Sequence, residues 1–297
     1  MTHKSFAIVC DSTCGLPSEH LARLEVVCVA ASPRAERPAR HVRAGAAREA
    51  FLPTAEDYLA TFENLVEKGY EQVACVVSSL QATGTWAAVE EAQSRLGSAG
   101  LSVRSVDAGV TSLALGMVVE RLAAAREQGV EFEEAVRRAH EFSREARLLF
   151  IPSSSAAFVL RDLRAERRGL MGRASALRVR IAGERSLYLL WRGEATALAR
   201  STDLADLCAR AAHAMSAVAA KEGELVYALT AADSSDLRFI SKPLNTNEFE
   251  AVLLGHVPAD PSFLANTGPD VLAAAFVPKR FYDQAAAPTP AGSSTSE

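Results

Sequence analysis

The chain has 297 residues, 49% of them hydrophobic, with 32 basic and 36 acidic side chains and a formal net charge of −4. That length and apolar content suit one large domain or two ordinary ones with a sizeable core. The charges are interspersed, which excludes the broad basic face of a nucleic-acid or anionic-membrane binder. No apolar run approaches the roughly 20 uncharged residues of a bilayer span. Met1 to Asp11 lacks the apolar stretch and small-residue cleavage site of a signal peptide, so a cytoplasmic location is expected. Five cysteines (Cys10, Cys14, Cys28, Cys75 and Cys208), with no CxxC, fit a reduced protein better than a disulfide framework. Cys10, Cys28 and Cys75 lie in apolar runs and are expected to pack as small hydrophobes. The six histidines include no pair four residues apart, so no helical metal site is expected.

In chain order, Phe6 to Cys10 reads as a strand, Pro17 to Leu24 as a short helix opened by proline, and Val26 to Ala31 as a second strand. Pro33 to Arg48, rich in Ala, Pro and Arg, has no period and reads as an irregular loop. Thr54 followed by Glu56 and Asp57 predicts a capped helix running to Glu67 and closed by Gly69. Gln72 to Val77 is a third strand. A helix from Trp86 to about Leu96 and a fourth strand, Leu101 to Val106, follow. Next come a long Ala/Leu/Arg helix ending near Gly129, a helix from Phe132 to Arg147, and a short strand, Leu148 to Ile151. Alternating strands and helices predict βαβ crossovers and a mainly parallel sheet.

The second half has a different rhythm. Ser155 to Arg167 reads as helical, and three closely spaced strands (Ala176 to Ile181, Ser186 to Trp191, Glu194 to Arg200) predict antiparallel hairpins. A helix from Asp203 to Lys221, capped by Ser201 or Thr202, precedes a strand at Leu225 to Thr230. Phe239 to Ala251 reads as helical, with strands at Val252 to His256 and Phe276 to Phe281. The change of rhythm predicts a boundary near residues 152 to 156. This gives a parallel α/β unit over 1–154, a mixed α/β unit over 155–283 and a disordered Ala/Pro/Ser/Thr tail over 284–297. The arginines at 137–138 and at 161, 164, 167 and 168 fall on helical patterns and read as solvated faces.

The segment Ser79-Leu80-Gln81-Ala82-Thr83-Gly84-Thr85-Trp86 joins a buried strand to a helix. Free backbone N–H groups, hydroxyls and the positive end of the helix dipole there favour an anion, either a phosphate or a carboxylate. Two other strand ends also carry hydroxyls: Asp11-Ser12-Thr13, and Asp107 with Thr111-Ser112. In a parallel sheet all three would face one edge, where α/β proteins bind ligands. A nucleotide site would need a P-loop lysine or a Gly-x-Gly-x-x-Gly turn, and a serine hydrolase a Gly-x-Ser-x-Gly elbow; the sequence has none of them. A pocket of hydroxyls and backbone donors suits holding a carboxylate better than breaking a bond.

Four segments carry a family resemblance. Ile8-Val9-Cys10-Asp11-Ser12-Thr13-Cys14-Gly15-Leu16-Pro17 is similar to the DST-x-x-L-P motif of the DegV family, and Ser79 to Trp86 resembles its S-S-x-L-S-G-T-Y. Val106-Asp107-Ala108-Gly109-Val110-Thr111-Ser112-Leu113-Ala114-Leu115-Gly116 resembles its D-S-x-x-x-S-x-G-x-G, and Asn266-Thr267-Gly268-Pro269-Asp270 its H-T-G-P-G. Order and spacing agree across residues 6 to 280.

The resemblance implies two α/β domains with a lipid tunnel between them and a non-catalytic protein that holds a long-chain fatty acid. It implies no cofactor, and it allows a fatty acid kinase as partner. Nucleic acid is not an expected partner, and membrane contact is at most transient. By resemblance, Thr83 stands where the family's carboxylate-binding Ser lies, with Gly84, Thr85, Ser12 and Thr267 beside it. Arg200 would meet the carboxyl end or the kinase. Asn266 replaces the family's His and can donate a hydrogen bond but carries no charge. Asp270 replaces a Gly, Glu49-Ala50-Phe51-Leu52-Pro53 lacks the T-S-Q-P pattern, and Glu166-Arg167-Arg168 stands in place of G-G-R. Two other readings stay open: a phosphotransferase akin to dihydroxyacetone kinase, with Asp11 and Asp107 as candidate metal ligands, and a degenerate paralogue acting through protein contacts.

Overall fold

A computed structural model of the chain describes residues 5–30, 52–78, 85–97, 100–153, 183–246 and 249–287. The loop expected over Pro33–Arg48, the helix expected over Ser155–Arg167, the strand expected over Ala176–Ile181 and the residues beyond 287 lie outside those residues.

The first half forms β1 (Ala7–Asp11), α1 (Ser18–Arg23), β2 (Val26–Val29), α2 (Ala55–Glu67), β3 (Gln72–Val77), α3 (Thr85–Leu96) and β4 (Ser102–Asp107). Its four strands make a parallel sheet in the order β2-β1-β3-β4. Thr54 caps α2 as expected, its hydroxyl accepting from the Asp57 N–H while the Asp57 carboxylate accepts from the Thr54 N–H. Gly69 closes the helix at φ 82°, letting its N–H reach the Val66 carbonyl and the Tyr70 N–H the Leu65 carbonyl. Thr54→Ala is expected to cost about 1 kcal/mol in a urea titration, the usual worth of such a cap.

Two helices, α4 (Ser112–Glu127) and α5 (Phe132–Ser143), then lead to β5 (Arg147–Ile151). They lie between two sheets, and this double crossover delivers β5 out of the parallel sheet and into the second one. The second sheet adds β6 (Arg185–Trp191), β7 (Glu194–Ser201), β8 (Leu225–Ala231), β9 (Ala251–Pro258) and β10 (Leu272–Pro278), in the order β7-β6-β5-β10-β8-β9. It is mixed: β8 and β9 are parallel and the other neighbours antiparallel. Its helices are α6 (Leu204–Glu222), α7 (Leu237–Thr246), α8 (Pro261–Thr267) and α9 (Lys279–Ala286).

Strict alternation sorts the strand residues into three cores. Ala7, Val9, Val73, Cys75 and Val77 pack under α2 and α3. Ile8, Cys10, Ala74 and Val76 face α4 and α5, which meet Leu148, Phe150, Val226, Ala228, Ala273 and Ala275 of the second sheet on their other side. Leu149, Ile151, Leu229, Ala274 and Phe276 pack under α6 and α7. The layers therefore run helices, parallel sheet, helices, mixed sheet, helices. This is why α4 is apolar on nearly every face, from Leu113 to Ala125. Its Arg126, buried, donates to the carbonyls of Phe6, Leu24 and Glu25.

Several expectations are corrected. The cap of α6 is Asp203, which accepts from the Ala205 N–H; Ser201 accepts from Asp203 itself. The α7 helix stops at Thr246, short of the expected Ala251, and the last strand is Leu272–Pro278 in place of Phe276 to Phe281, whose final residues belong to α9. Residues 284–286, read as tail, complete α9, which packs on α4 and α5. Arg138 is buried against Glu134 and the Ala287 carbonyl, while Arg137 is the solvated partner of Glu134 and Glu141. Cys28 is exposed on the edge strand β2.

Candidate functional site

The parallel sheet changes direction of winding between β1 and β3, and its four carboxyl ends share one edge. That switch point is the general ligand position in open α/β sheets. Asp11 ends β1 and is fully buried. Its Oδ1 accepts from the Thr13 N–H at 2.8 Å and the Thr13 hydroxyl at 2.6 Å, and its Oδ2 accepts from the Tyr58 hydroxyl at 2.8 Å. Burial pushes its pKa up, opposed by the hydrogen bonds from Thr13, Tyr58 and Thr85. Asp107 likewise accepts from the Gly109 N–H at 2.9 Å. Both carboxylates thus cap their own turns. Among the described residues no cluster of His, Cys, Asp and Glu could hold a metal ion.

The corresponding edge of the mixed sheet meets this one. Ser112 begins α4 at φ 52°, a conformation that costs a non-glycine residue about 1–2 kcal/mol. Two contacts hold it there: its N–H donates to the Thr13 carbonyl at 2.7 Å, and its hydroxyl to Asp260 Oδ2 at 2.9 Å. Asp260 caps α8, its Oδ1 accepting from the Phe263 N–H at 2.8 Å and lying 2.6 Å from the Ser262 hydroxyl. That hydroxyl also lies 2.9 Å from the Ser12 carbonyl. Asp260 is half-buried overall, with its carboxylate turned into the seam, and burial pushes its pKa up. Gly15 keeps the seam close, since a Cβ there would sit 2.5 Å from the Leu113 nitrogen.

Beside the seam opens a groove of about 310 Å³, at the lower end of the ~300–1,000 Å³ typical of small-molecule sites. Leu16, Leu113, Met117, Ala228, Leu254 and Val257 form its apolar walls, with His20 and Glu120 among its polar ones.

The residues expected at the site fall as follows. Thr83 and Gly84 lie outside the described residues. Thr85 opens α3, buried, its hydroxyl donating to the Ser78 carbonyl at 3.2 Å. Ser12 takes part in the seam through its carbonyl. Asn266, half-buried on α8, donates to the Ser262 carbonyl at 2.9 Å, and the buried Thr267 hydroxyl donates to the Phe263 carbonyl at 2.6 Å. Their loop is stapled to the end of β5. The Ser153 N–H donates to the Thr267 carbonyl at 2.7 Å, and the Ser153 hydroxyl accepts from the Asp270 N–H at 3.0 Å. Arg200 is at the carboxyl end of β7, on the same sheet edge but three strands from β10.

Asp260, Ser262, Tyr58 and Arg185 are not among the site residues expected from the sequence. Arg185 donates to the carbonyls of Ile151, Pro152 and Asp270 and so fixes the base of the Asn266–Asp270 loop. Asp260-Pro261 carried a usable signal, an N-cap residue followed by proline at the first helical position.

A family model for uncharacterised proteins of the DegV family matches residues 34–279. No curated protein matches the chain in sequence. Among solved structures, a stearic acid-binding protein from Eubacterium ventriosum superposes with a TM-score of 0.72 at 18% identity, over 94% of this chain and 99% of that one. A DegV family protein from Thermus thermophilus, described for its fatty acid binding, gives 0.70 at 20% identity, over 92% and 99%. A DegV family protein from Corynebacterium glutamicum gives 0.71 at 15%, over 92% and 97%. At these identities the likeness establishes the fold, and the family match covers most of the sequence: the chain belongs to the DegV family.

Proposed function

We propose that the protein is a non-catalytic carrier that buries the tail of a long-chain fatty acid and holds its carboxylate at the hydroxyl-bearing strand ends. The observation that carries this reading is the meeting of the two sheets' edges. Ser112, Asp260 and Ser262 sew β1, α4 and α8 together beside an apolar groove. The fatty acid binding described for the Thermus and Eubacterium relatives supports it. Thr83 and Gly84, which precede α3 in sequence, supply carboxylate donors in this reading together with Ser12 and Asn266, while the Thr85 and Thr267 hydroxyls are engaged with the Ser78 and Phe263 carbonyls and hold the backbone on either side. The amide of Asn266 has a second hydrogen beyond the one given to Ser262. Arg200 serves the carboxyl end or a fatty acid kinase that receives the bound acid. Each buried methylene gains roughly 0.8 kcal/mol, so the tail supplies most of the affinity and an uncharged Asn266 is tolerated. A kinase-like chemistry would need Asp11 and Asp107 as metal ligands, and both are engaged in capping their own turns.

Protein purified from cells is expected to carry one long-chain fatty acid, seen as a mass excess by native mass spectrometry and identified in a lipid extract. Thr83→Ala is expected to weaken oleate binding about tenfold, the equivalent of one hydrogen bond of ~1.4 kcal/mol. Protein that carries no lipid and takes up neither oleate nor palmitate would overturn the reading. An affinity unmoved by Thr83→Ala would remove the carboxylate assignment and favour a paralogue that works through protein contacts.

A further inference from the structure

Three of the five cysteines gather at the ends of β1 and β2. Cys10 and Cys28 are direct register partners in neighbouring parallel strands. Alternation puts both side chains on the same face of the sheet: Cys10 follows Phe6 and Ile8, and Cys28 follows Val26, all on the α4 side. Adjacent strands lie about 4.8 Å apart, within the roughly 4.4–6.8 Å that separates the Cα atoms of a disulfide. The neighbouring thiols of Cys14 and Cys28 both push the Cys10 pKa up. Cys10 and Cys14 are buried; Cys28 alone of the three is exposed.

We propose that this thiol group is a peroxide-reactive modification site in which Cys28 is oxidised first and Cys10 then closes a Cys10–Cys28 disulfide. The Cys28 thiolate attacks one oxygen of hydrogen peroxide, the O–O bond breaks, and the departing hydroxide takes a proton and leaves as water. Cys28 is then a sulfenic acid. The Cys10 sulfur attacks the Cys28 sulfur, and the sulfenic hydroxyl leaves as a second water with the Cys10 proton. Two thiols lose two electrons and hydrogen peroxide gains them. The division of labour follows the chemistry of the two thiols. The contact with Cys10 lowers the pKa of Cys28, the exposed partner. Contacts with Cys14 and Cys28, and burial, raise that of Cys10, which keeps its proton until the attack. Thiolate character and access together select the reactive cysteine. Cys208, buried and pushed up to about 12 by that burial, is the internal control.

The full chain is treated with a small excess of hydrogen peroxide, quenched with catalase, denatured, alkylated with N-ethylmaleimide and digested with trypsin. Cys10 falls in the peptide 5–23 and Cys28 in the peptide 24–34. The expected product is a cross-link between these peptides with loss of two hydrogens, reversed by dithiothreitol, with Cys208 alkylated throughout. Cys28→Ser, at an exposed position that the fold tolerates, should leave Cys10 fully alkylated after peroxide. Cys10→Ala should leave Cys28 as a sulfenic acid that dimedone captures. A Cys10 that stays alkylated in the wild type overturns the proposal. So does a Cys10–Cys14 bond that forms equally in Cys28→Ser, or a Cys28 that proceeds to the sulfinic acid in the wild type.

Discussion

Asp260→Ala is expected to lower the unfolding free energy by about 3 kcal/mol and to loosen the grip between the two sheets. One carboxylate there serves three donors: the Ser112 hydroxyl, the Ser262 hydroxyl and the Phe263 N–H. Loss of the α8 cap alone costs about 1 kcal/mol. The Ser112 hydroxyl left without its acceptor adds roughly 1–3 kcal/mol where water is excluded, whereas the Ser262 hydroxyl keeps the Ser12 carbonyl. Asp260 is only half-buried, so water recovers part of that, which brings the total down to about 3. Ser112→Ala should cost less, about 1 kcal/mol, because Asp260 keeps its other two donors. The double variant should cost little more than Asp260→Ala alone, since the two share one bond. Urea denaturation of the four proteins measures this cycle. Simple additivity, or an Asp260→Ala protein as stable as the wild type, would mean that the seam does not hold the sheets together. Fatty acid retention in native mass spectra should fall in parallel, because the same contacts fix Ser12 and Ser112 at the site.

The seam also shows where the sequence is legible and where it is not. The four parallel strands and α2 carry local signals: apolar runs, a Thr54–Asp57 capping box, a glycine in the left-handed region at 69. Such signals survive folding because they concern neighbours in the chain. The hydroxyls of Ser12, Thr13 and Ser112 were readable as strand-end residues for the same reason. Asp260 was not, because its partner Ser112 lies 148 residues away and no local pattern encodes that pairing. The side taken by β5 was equally hidden. Leu148 and Phe150 face one core and Leu149 and Ile151 another, which fits a buried strand of either sheet. Cys28 sits in an apolar run, yet β2 is an edge strand and leaves it exposed. The end of α7 and the start of β10 differ from expectation because short apolar runs suit helix and strand alike.

Asp11→Ala is expected to cost about 4 kcal/mol, the largest effect of any substitution considered, and the pH dependence identifies the cause. The side chain is completely buried and accepts three hydrogen bonds from Thr13 and Tyr58. Removing it leaves the Thr13 N–H and the Tyr58 hydroxyl buried without an acceptor, at roughly 1–3 kcal/mol each, and adds a small cavity. Tyr58→Phe in the Asp11→Ala background should therefore recover stability, whereas Tyr58→Phe alone should lose about 1 kcal/mol. Asp11→Asn should be far milder, since its carbonyl still accepts from Thr13 and the Tyr58 oxygen can accept from its amide. The amide also removes a titration. Burial raises the Asp11 pKa above the ordinary 3.8, so the folded protein holds that proton more tightly than the unfolded chain. The wild type's contribution from this group is complete below the unfolded pKa and is lost as pH rises through the folded one. Asp11→Asn should flatten that slope and gain on the wild type as pH rises from 4 towards ~7. Urea midpoints at several pH values measure it, and a wild type and Asp11→Asn that track in parallel would show that Asp11 folds with an unperturbed charge. Asp260, also raised by burial, adds a slope of the same sign, which remains in Asp11→Asn and disappears only when both carboxylates are replaced.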